Sequence, residues 1–342
     1  MPVRVLHLVG SAQSPFLQEL SHLYARDALE VLDVPGYEHH VAAVAPDGSW
    51  RFPGATLDPD ALAAAPALPV ARALAQIAEL APDVAVPQMF CRSGMTDHRA
   101  LLRVLGVPVL GNPPEAMALT ADKARAKAVV AAAGVRVPAG VALRAGDPLD
   151  GLPELPVVVK PAAADNSHGV ALVRHRDELA GAVAAAFAHD DEVLVEAYVP
   201  LGREVRCGTL VRDGELVVLP VEEYALDEIR TADDKLGRRD DGDLALMAKT
   251  EDRAWIVAAD DPVLPAVHEA ARRCHRALGC RHYGLFDLRI DPAGEPWFLE
   301  AGLYCSFARS SVLAVMARAA GIDGPQLFAT VLAQARRDGT AA

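Results

Sequence analysis

Aromatic side chains are scarce in this chain of 342 residues, at 5% of the sequence, and cysteine is scarcer still, with five. With 52% apolar residues and so few rings, burial has to rest on many small aliphatic contacts. Cys91, Cys207, Cys274, Cys280 and Cys305 have neither the CxxC spacing of a zinc site nor the density of a disulfide scaffold, and they read as reduced thiols. Positive charge is short as well. Lys and Arg number 33 against 46 Asp and Glu, a formal net charge of -13, which argues against a general binder of nucleic acid or anionic membrane. The opening run Met1 to Gly10 is too short and too polar-interrupted for a signal peptide, and no run of about 18 uncharged apolar residues follows, so the expected location is the cytoplasm. A Walker loop and a dinucleotide fingerprint are both missing.

What is present is a pattern of short apolar runs and helical stretches that two or three closely packed lobes would use up. Val3 to Val9, Val41 to Ala45, Asp83 to Pro87 and Val107 to Leu110 read as strands, alternating with helices at Leu17 to Leu32 and Val70 to Leu80. That alternation predicts a mainly parallel sheet in a first, Rossmann-like lobe, residues 1–112. Within it, Pro46 to Pro69 is the least patterned stretch and reads as a surface excursion. Pro113-Pro114 then precedes an Ala- and Lys-rich helix from Ala116 to Ala133, stopped by Gly134. Strands at Val157 to Lys160, Val170 to Val173 and Glu192 to Tyr198, with a helix from Asp177 to Phe187, predict a small α+β lid within residues 113–200. Strands at Glu204 to Val211, Glu215 to Val221, Tyr283 to Ile290 and Pro296 to Ala301, with a helix at Pro262 to Leu278, predict a third, catalytic lobe over 201–342.

Three clusters carry chemistry. Asp287 and Glu300 stand on the two arms of the last hairpin, around a Pro-Ala-Gly-Glu-Pro turn and among Phe, Leu and Trp. Acids in such company are costly to bury unless a cation neutralises them, and magnesium bound to phosphate suits them; the competing reading is an edge hairpin whose acids face water. Lys123 and Lys160 place point charges on a helix and at the end of an apolar strand, as phosphate oxygens require, although each alone is more often a snorkelling surface residue. The same holds for Lys235. The loop Ala163 to Val170, with Ser167, His168 and Gly169, could fold backbone N–H groups over a phosphate, though by itself it reads as an ordinary turn.

In their order and spacing these clusters resemble the ATP-grasp superfamily and, within it, the D-alanine:D-alanine ligase family, over essentially the whole chain. The segments that carry the resemblance are Leu105 to Asn112, Ala121 to Lys127, Gly134 to Pro138, Val157 to Val170, Val193 to Glu204 and the final hairpin. The resemblance implies a Rossmann-like N-terminal lobe, a small central lid and a C-terminal catalytic lobe. It implies ATP and Mg2+, with Mn2+ as a substitute, amino-acid substrates, and a homodimer. By similarity Lys123, Lys160, Ser167 and His168 face phosphates, Glu196 and Glu204 the nucleoside, and Asp287 and Glu300 the metal, while Lys235 closes the site. The implied reaction makes an acyl phosphate that an amine attacks. It needs charge neutralisation more than a protein nucleophile, so the scattered histidines and cysteines read as structural or solvent-facing.

The chain departs from that family where substrates would sit. Leu285 stands where the family has an oxyanion-steadying Arg, which leaves Arg289 or Arg309 to replace it, and Gly302 stands in place of a metal-binding Asn. Glu19 is the candidate for a substrate ammonium, Ser306 and Ser311 for a substrate carboxylate, and Arg92 and Arg309 add cations suited to a further carboxylate. The expectation is therefore an amino-acid or γ-glutamyl ligase of specialised metabolism. The alternatives are a D-alanine:D-alanine ligase and a nucleotide-binding protein that has lost ligation.

Overall fold

The computed structural model describes residues 1–163, 169–229, 236–238, 244–246 and 253–340. The N-terminal sheet has the strand order Trp50–Arg51, Tyr37–Val44, Val3–Gly10, Val84–Pro87, and all but the first strand run parallel. The helix Pro15–Val31 starts where Ser14 accepts a bond from the Leu17 amide at 3.1 Å and Pro15 sets the first turn. The Val70–Leu80 helix has the bounds its periodicity predicts. The Val107 to Leu110 run makes no strand and adds only a parallel bridge from Val109 to Ala85. The Pro46 to Pro69 stretch is more ordered than its composition suggests. It holds the edge strand and a helix, Pro59–Ala64, and its Trp50 is fully buried and packed on His98.

The second sheet is small and antiparallel, in the order Gly140–Arg144, Glu192–Ala197, Val157–Pro161, Ala171–Val173. The helix Arg176–Phe187 covers it through Leu179 and Val183. The Gly140–Arg144 strand was not predicted, because its Gly-Val-Ala-Leu-Arg run is short and only Leu143 is buried.

The large sheet runs Ala254–Ile256, Glu222–Tyr224, Arg203–Arg212, Tyr283–Ile290, Pro296–Ala301, with Glu215–Val218 paired to one end of Arg203–Arg212. The predicted strand Glu215 to Val221 stops at Val218, before Leu219-Pro220, since proline has no N–H for the ladder, and a separate strand, Glu222–Tyr224, follows it. The predicted helix over Ala116 to Ala133 also divides, into Pro114–Thr120 and Lys123–Ala132. Asp122 is the cause: extended in backbone, its carboxylate accepts from the Arg125 amide at 3.0 Å and caps a new helix. Both helices pack with Leu264–Ala277 in the core of the large sheet. Helices Val312–Ala319 and Gly324–Thr340 join a second core, between the large sheet and the N-terminal one. Among the described residues no helix is long and apolar enough to cross a membrane.

Alternation along the large sheet positions the site. Val205, Cys207, Phe286, Leu288, Ile290 and Phe298 are buried against the helices on one face. Glu204, Arg206, Asp287 and Arg289 point to the other.

Candidate active site

Register brings four charged residues from four strands into one row. Glu222 pairs with Arg206, Arg206 with Asp287, and Asp287 with Glu300. The neighbouring row pairs Tyr224 with Glu204, Glu204 with Arg289, and Arg289 with Trp297. Residues directly opposed across strands lie only about 4.5–5.5 Å apart at Cβ, so these charges act on one another. A bulge between Asp287 and Leu288 keeps Glu300 opposite Asp287.

Arginines neutralise two of the acids. Arg206 donates from Nε and Nη2 to the two carboxylate oxygens of Asp287, at 2.7 and 3.0 Å, and its guanidinium lies 5.3 Å from the Tyr224 ring centroid. Burial works against its charge, but Asp287 and Tyr224 outweigh that and hold its pKa well above the usual arginine range. Arg289 donates from Nη2 to Glu204 at 2.6 Å and from Nη1 to the Val199 carbonyl at 3.3 Å, over the Tyr198 ring.

Opposite this wall, the small sheet and the Lys123–Ala132 helix together carry cations in excess. Lys160 Nζ lies 2.6 Å from Glu196 Oε2, and Lys127 bonds the other oxygen, with all three side chains buried. Burial and the charge of Lys160 pull Lys127 down to about 7, while Lys160, also opposed by burial, is raised by Glu196. Burial pushes Glu196 the other way, yet the two lysines keep its carboxyl below the ordinary range. Two cations share one carboxylate, and Lys127 is the one that yields.

Lys160, Glu196, Glu204, Asp287, Arg289 and Glu300 line one half-open cleft. Lys123, the first residue of its helix, also reaches it and lies 3.6 Å from Glu300 Oε2. Among the described residues no three His, Cys, Asp or Glu side chains gather into a metal-holding group. Two opposed carboxylates beside a phosphate-sized cleft fit magnesium, which takes one or two protein carboxylates and completes its shell with phosphate oxygens and water.

The predicted site residues divide between this cleft and other places. Lys123, Lys160, Glu196, Glu204, Asp287, Arg289 and Glu300 come together. Ser167, His168 and Lys235 lie outside the described residues. Arg309 is taken up elsewhere: its guanidinium pairs with Asp27 and with Glu30, the latter at 3.0 Å, on the exposed side of helix Pro15–Val31. Arg92 lines a separate cleft with Asp122, Arg125, Arg144 and Asp190. Arg289, read as a replacement for the oxyanion Arg, is bonded to Glu204 instead. Glu19 is half-buried on helix Pro15–Val31, whose Tyr24 packs edge-on against Phe90, which packs in turn on Tyr304. Ser306 is buried beside Phe307, a non-glycine residue at φ 60, and Ser311 starts the Val312–Ala319 helix. The left-handed backbone at Phe307 costs about 1–2 kcal/mol and is held by a buried ring stacked edge-on with Phe328.

Three residues of the charged assembly, Lys127, Arg206 and Glu222, were not among the predicted site residues. Lys127 was visible four positions after Lys123, one turn along the same helix face. Arg206 follows Glu204 at strand spacing, but its partner is 81 residues away, and only the register reveals it.

Comparison with known proteins agrees with this geometry. The family model described as "D-ala D-ala ligase C-terminus" matches residues 151–333. A D-alanine--D-alanine ligase of Mycolicibacterium gilvum is 30% identical, with 99% of this chain and 98% of that protein covered. One from Mycolicibacterium smegmatis is 32% identical, covering 94% and 92%. Among solved structures, the D-alanine-D-alanine ligase from Coxiella burnetii superposes with a TM-score of 0.77 at 18% identity, covering 99% of this chain and 95% of that one. The VanG D-Ala:D-Ser ligase from Enterococcus faecalis does so with 0.76 at 22%, covering 98% and 100%. These structural likenesses carry the ATP-grasp fold, while the sequence matches carry the family. The chain belongs to the D-alanine--D-alanine ligase family and is an ATP-dependent ligase that forms a peptide-type C–N bond.

Proposed function

We propose that this chain joins two molecules of D-alanine, with ATP as the phosphoryl donor and magnesium as the metal. The observation that carries this reading is the facing of two walls in one cleft: opposed carboxylates Asp287 and Glu300 on one side, lysine-rich Lys160 and Glu196 on the other. The relatives named above support D-alanine as substrate over the specialised or γ-glutamyl reading. That reading relied on Arg92 and Arg309 to hold a further carboxylate, but Arg309 is paired with Asp27 and Glu30, and Arg92 lines a separate cleft.

In this reading Lys123 and Lys160 neutralise phosphate oxygens, while Glu204 and Arg289 border the nucleoside. Glu19, Ser306 and Ser311 face the amino acids, and Lys235 closes the site. A carboxylate oxygen of the first D-alanine attacks the terminal phosphorus of ATP, giving an acyl phosphate and ADP. The amine of the second then attacks the acyl carbon. Magnesium held by Asp287 and Glu300 would supply charge neutralisation at the phosphates. The walls act by orienting the reactants and holding fixed charges where negative charge develops. The division into lobes at about residues 112 and 200 goes with this reading as a boundary proposal.

Phosphate release from ATP and magnesium tests it. D-alanine alone should stimulate release and yield a dipeptide of the mass of dialanine, whereas L-glutamate should not. Glu300→Gln should keep its thermal melt and lose about 100-fold or more of the turnover. Stimulation by L-glutamate with a second amino acid, and silence with D-alanine, would return the reading to a γ-glutamyl ligase.

A further inference from the structure

Helix Pro15–Val31 and the chain leaving the Pro296–Ala301 strand come from opposite ends of the sequence, yet they are fastened to each other. Phe16, Leu20, Tyr24 and Asp27 recur at steps of four and three, so they form one stripe of the helix. The first part of that stripe is apolar, and Phe16, Leu20 and Tyr24 cluster with Phe90 and Tyr304. Its end is charged. Asp27 Oδ2 accepts from the Arg309 backbone N–H at 2.6 Å, and Oδ1 accepts from the Arg309 guanidinium, which also donates to Glu30 at 3.0 Å.

The segment gripped in this way is held at other points too. Gln88, buried just after the Val84–Pro87 strand, donates from Nε2 to the Ser306 carbonyl at 2.9 Å, and Asn112 donates to the Leu303 carbonyl at 3.0 Å. The Ser306 hydroxyl accepts from the Ala308 N–H at 3.3 Å. Phe307, between those two residues, is left-handed at φ 60, a conformation that persists only where the surroundings over-determine it. Gln88 and Asp27 lie 218 and 282 positions from their partners, so distant residues and not the local sequence set this turn.

The two bonds that Asp27 makes differ in kind. The Arg309 side chain is 55% exposed and Glu30 69%, so their ion pairing adds little to stability. The bond to the Arg309 backbone instead fixes where the chain turns. On one side of it the segment runs back to Glu300, in the wall of the cleft, and on the other it reaches Ser311 at the start of helix Val312–Ala319. The helix that supplies Asp27 also carries Glu19. One carboxylate thus ties the element bearing Glu19 to the element bearing Ser306 and Ser311, the three residues that face the amino acids in the reading proposed above. A small substrate offers few atoms to hold, so its binding depends on how those elements are spaced.

We infer that Asp27 is a positioning residue for the amino-acid site: by holding the Arg309 backbone it sets the Ser306 to Ser311 turn against helix Pro15–Val31. It acts through the turn and not by touching substrate. This rests on the ligase reading proposed above, and the test separates the two.

The full wild-type chain is compared with Asp27→Ala, Asp27→Asn and Glu30→Ala, by steady-state kinetics with ATP, magnesium and D-alanine and by hydrogen exchange on peptides covering residues 303–311. Alanine at this half-buried helical position keeps the fold. Asp27→Ala should raise the KM for D-alanine about tenfold and leave the KM for ATP within about threefold, because losing a charge-assisted bond displaces the turn and not the nucleotide walls. Asparagine keeps an oxygen that accepts from the Arg309 N–H, so Asp27→Asn should bring the KM for D-alanine back to within about threefold of wild type. Glu30→Ala removes only an exposed side-chain pair and should change that KM by no more than about twofold. Exchange at the turn should be about tenfold faster in Asp27→Ala and unchanged in Glu30→Ala. A wild-type KM for D-alanine in Asp27→Ala, an equal rise in both KM values, or no rescue by asparagine would overturn the inference, and so would unchanged exchange in Asp27→Ala whatever the kinetics. Turnover with a different amino-acid pair would sink the D-alanine reading alone, and the same KM comparison then decides with that pair. A chain silent with every amino acid would sink the ligase reading, and faster exchange in Asp27→Ala would then show a fastening with no site to serve, which overturns the positioning role.

Discussion

The two walls of the cleft hold charge in opposite ways. On one wall, Lys160 of the small sheet and Lys127 of the Lys123–Ala132 helix share the single carboxylate of Glu196, so the wall carries one cation in excess. On the large sheet, the row Glu222, Arg206, Asp287, Glu300 contains three acids and one arginine, so it carries acids in excess. In the reading proposed above, the first wall would receive an anion and the second a cation, the two ends of a metal-bound phosphate. The choice of cation differs as well. Lysine adjusts by losing its proton, as Lys127 does near pH 7, whereas arginine stays charged whatever surrounds it. On that reading the lysine wall would adapt as nucleotide enters and leaves, and the arginine row would keep fixed geometry.

The largest effect should come from unpairing the arginine. Asp287→Asn leaves Arg206 buried with no carboxylate and no means of discharging, and should cost about 3–5 kcal/mol in chemical denaturation. Glu196→Gln at pH 8 should cost about half as much, because Lys127 is already largely neutral there and Lys160, unlike an arginine, can give up its proton. Equal losses, or a larger loss at Glu196, would mean that the two walls hold their charge in the same way.

A smaller effect should appear in the pH dependence of nucleotide binding. The Lys127 pKa is depressed to about 7 by burial and by Lys160. An incoming phosphate favours the protonated form, so affinity is greatest below that value and weakens as pH rises through it. Calorimetry with ADP and magnesium should show a dissociation constant several-fold higher at pH 8.5 than at pH 6.5, bounded at about tenfold per pH unit for one proton. Lys127→Met should flatten the profile. An unchanged slope in that variant would place the titration elsewhere.

Much of this arrangement was legible in the sequence where local pattern decides the structure. The Val70–Leu80 helix, the Tyr283–Ile290 strand and the Pro296–Ala301 strand all have the bounds their periodicity gives. Asp287, Glu300, Lys123 and Lys160 were singled out because charges in apolar runs demand partners, and the fold gathers them. What escaped was decided by distant contacts. One helix was expected where Asp122 caps a second, because the alanine-rich pattern continues through the break. Arg309 read as a site cation because nothing local reveals Asp27 and Glu30, 282 and 279 residues away. Arg206 read as part of a strand because its meaning depends on which residue the register sets opposite it.

The most direct test of the central claim follows one oxygen atom. D-alanine labelled with ¹⁸O in its carboxylate is incubated with the chain, ATP and magnesium, and the released phosphate is weighed. If the carboxylate is activated as an acyl phosphate, each dipeptide formed sends one labelled oxygen into phosphate, in equal numbers. Phosphate released without label, or dipeptide formed without its transfer, would contradict the account.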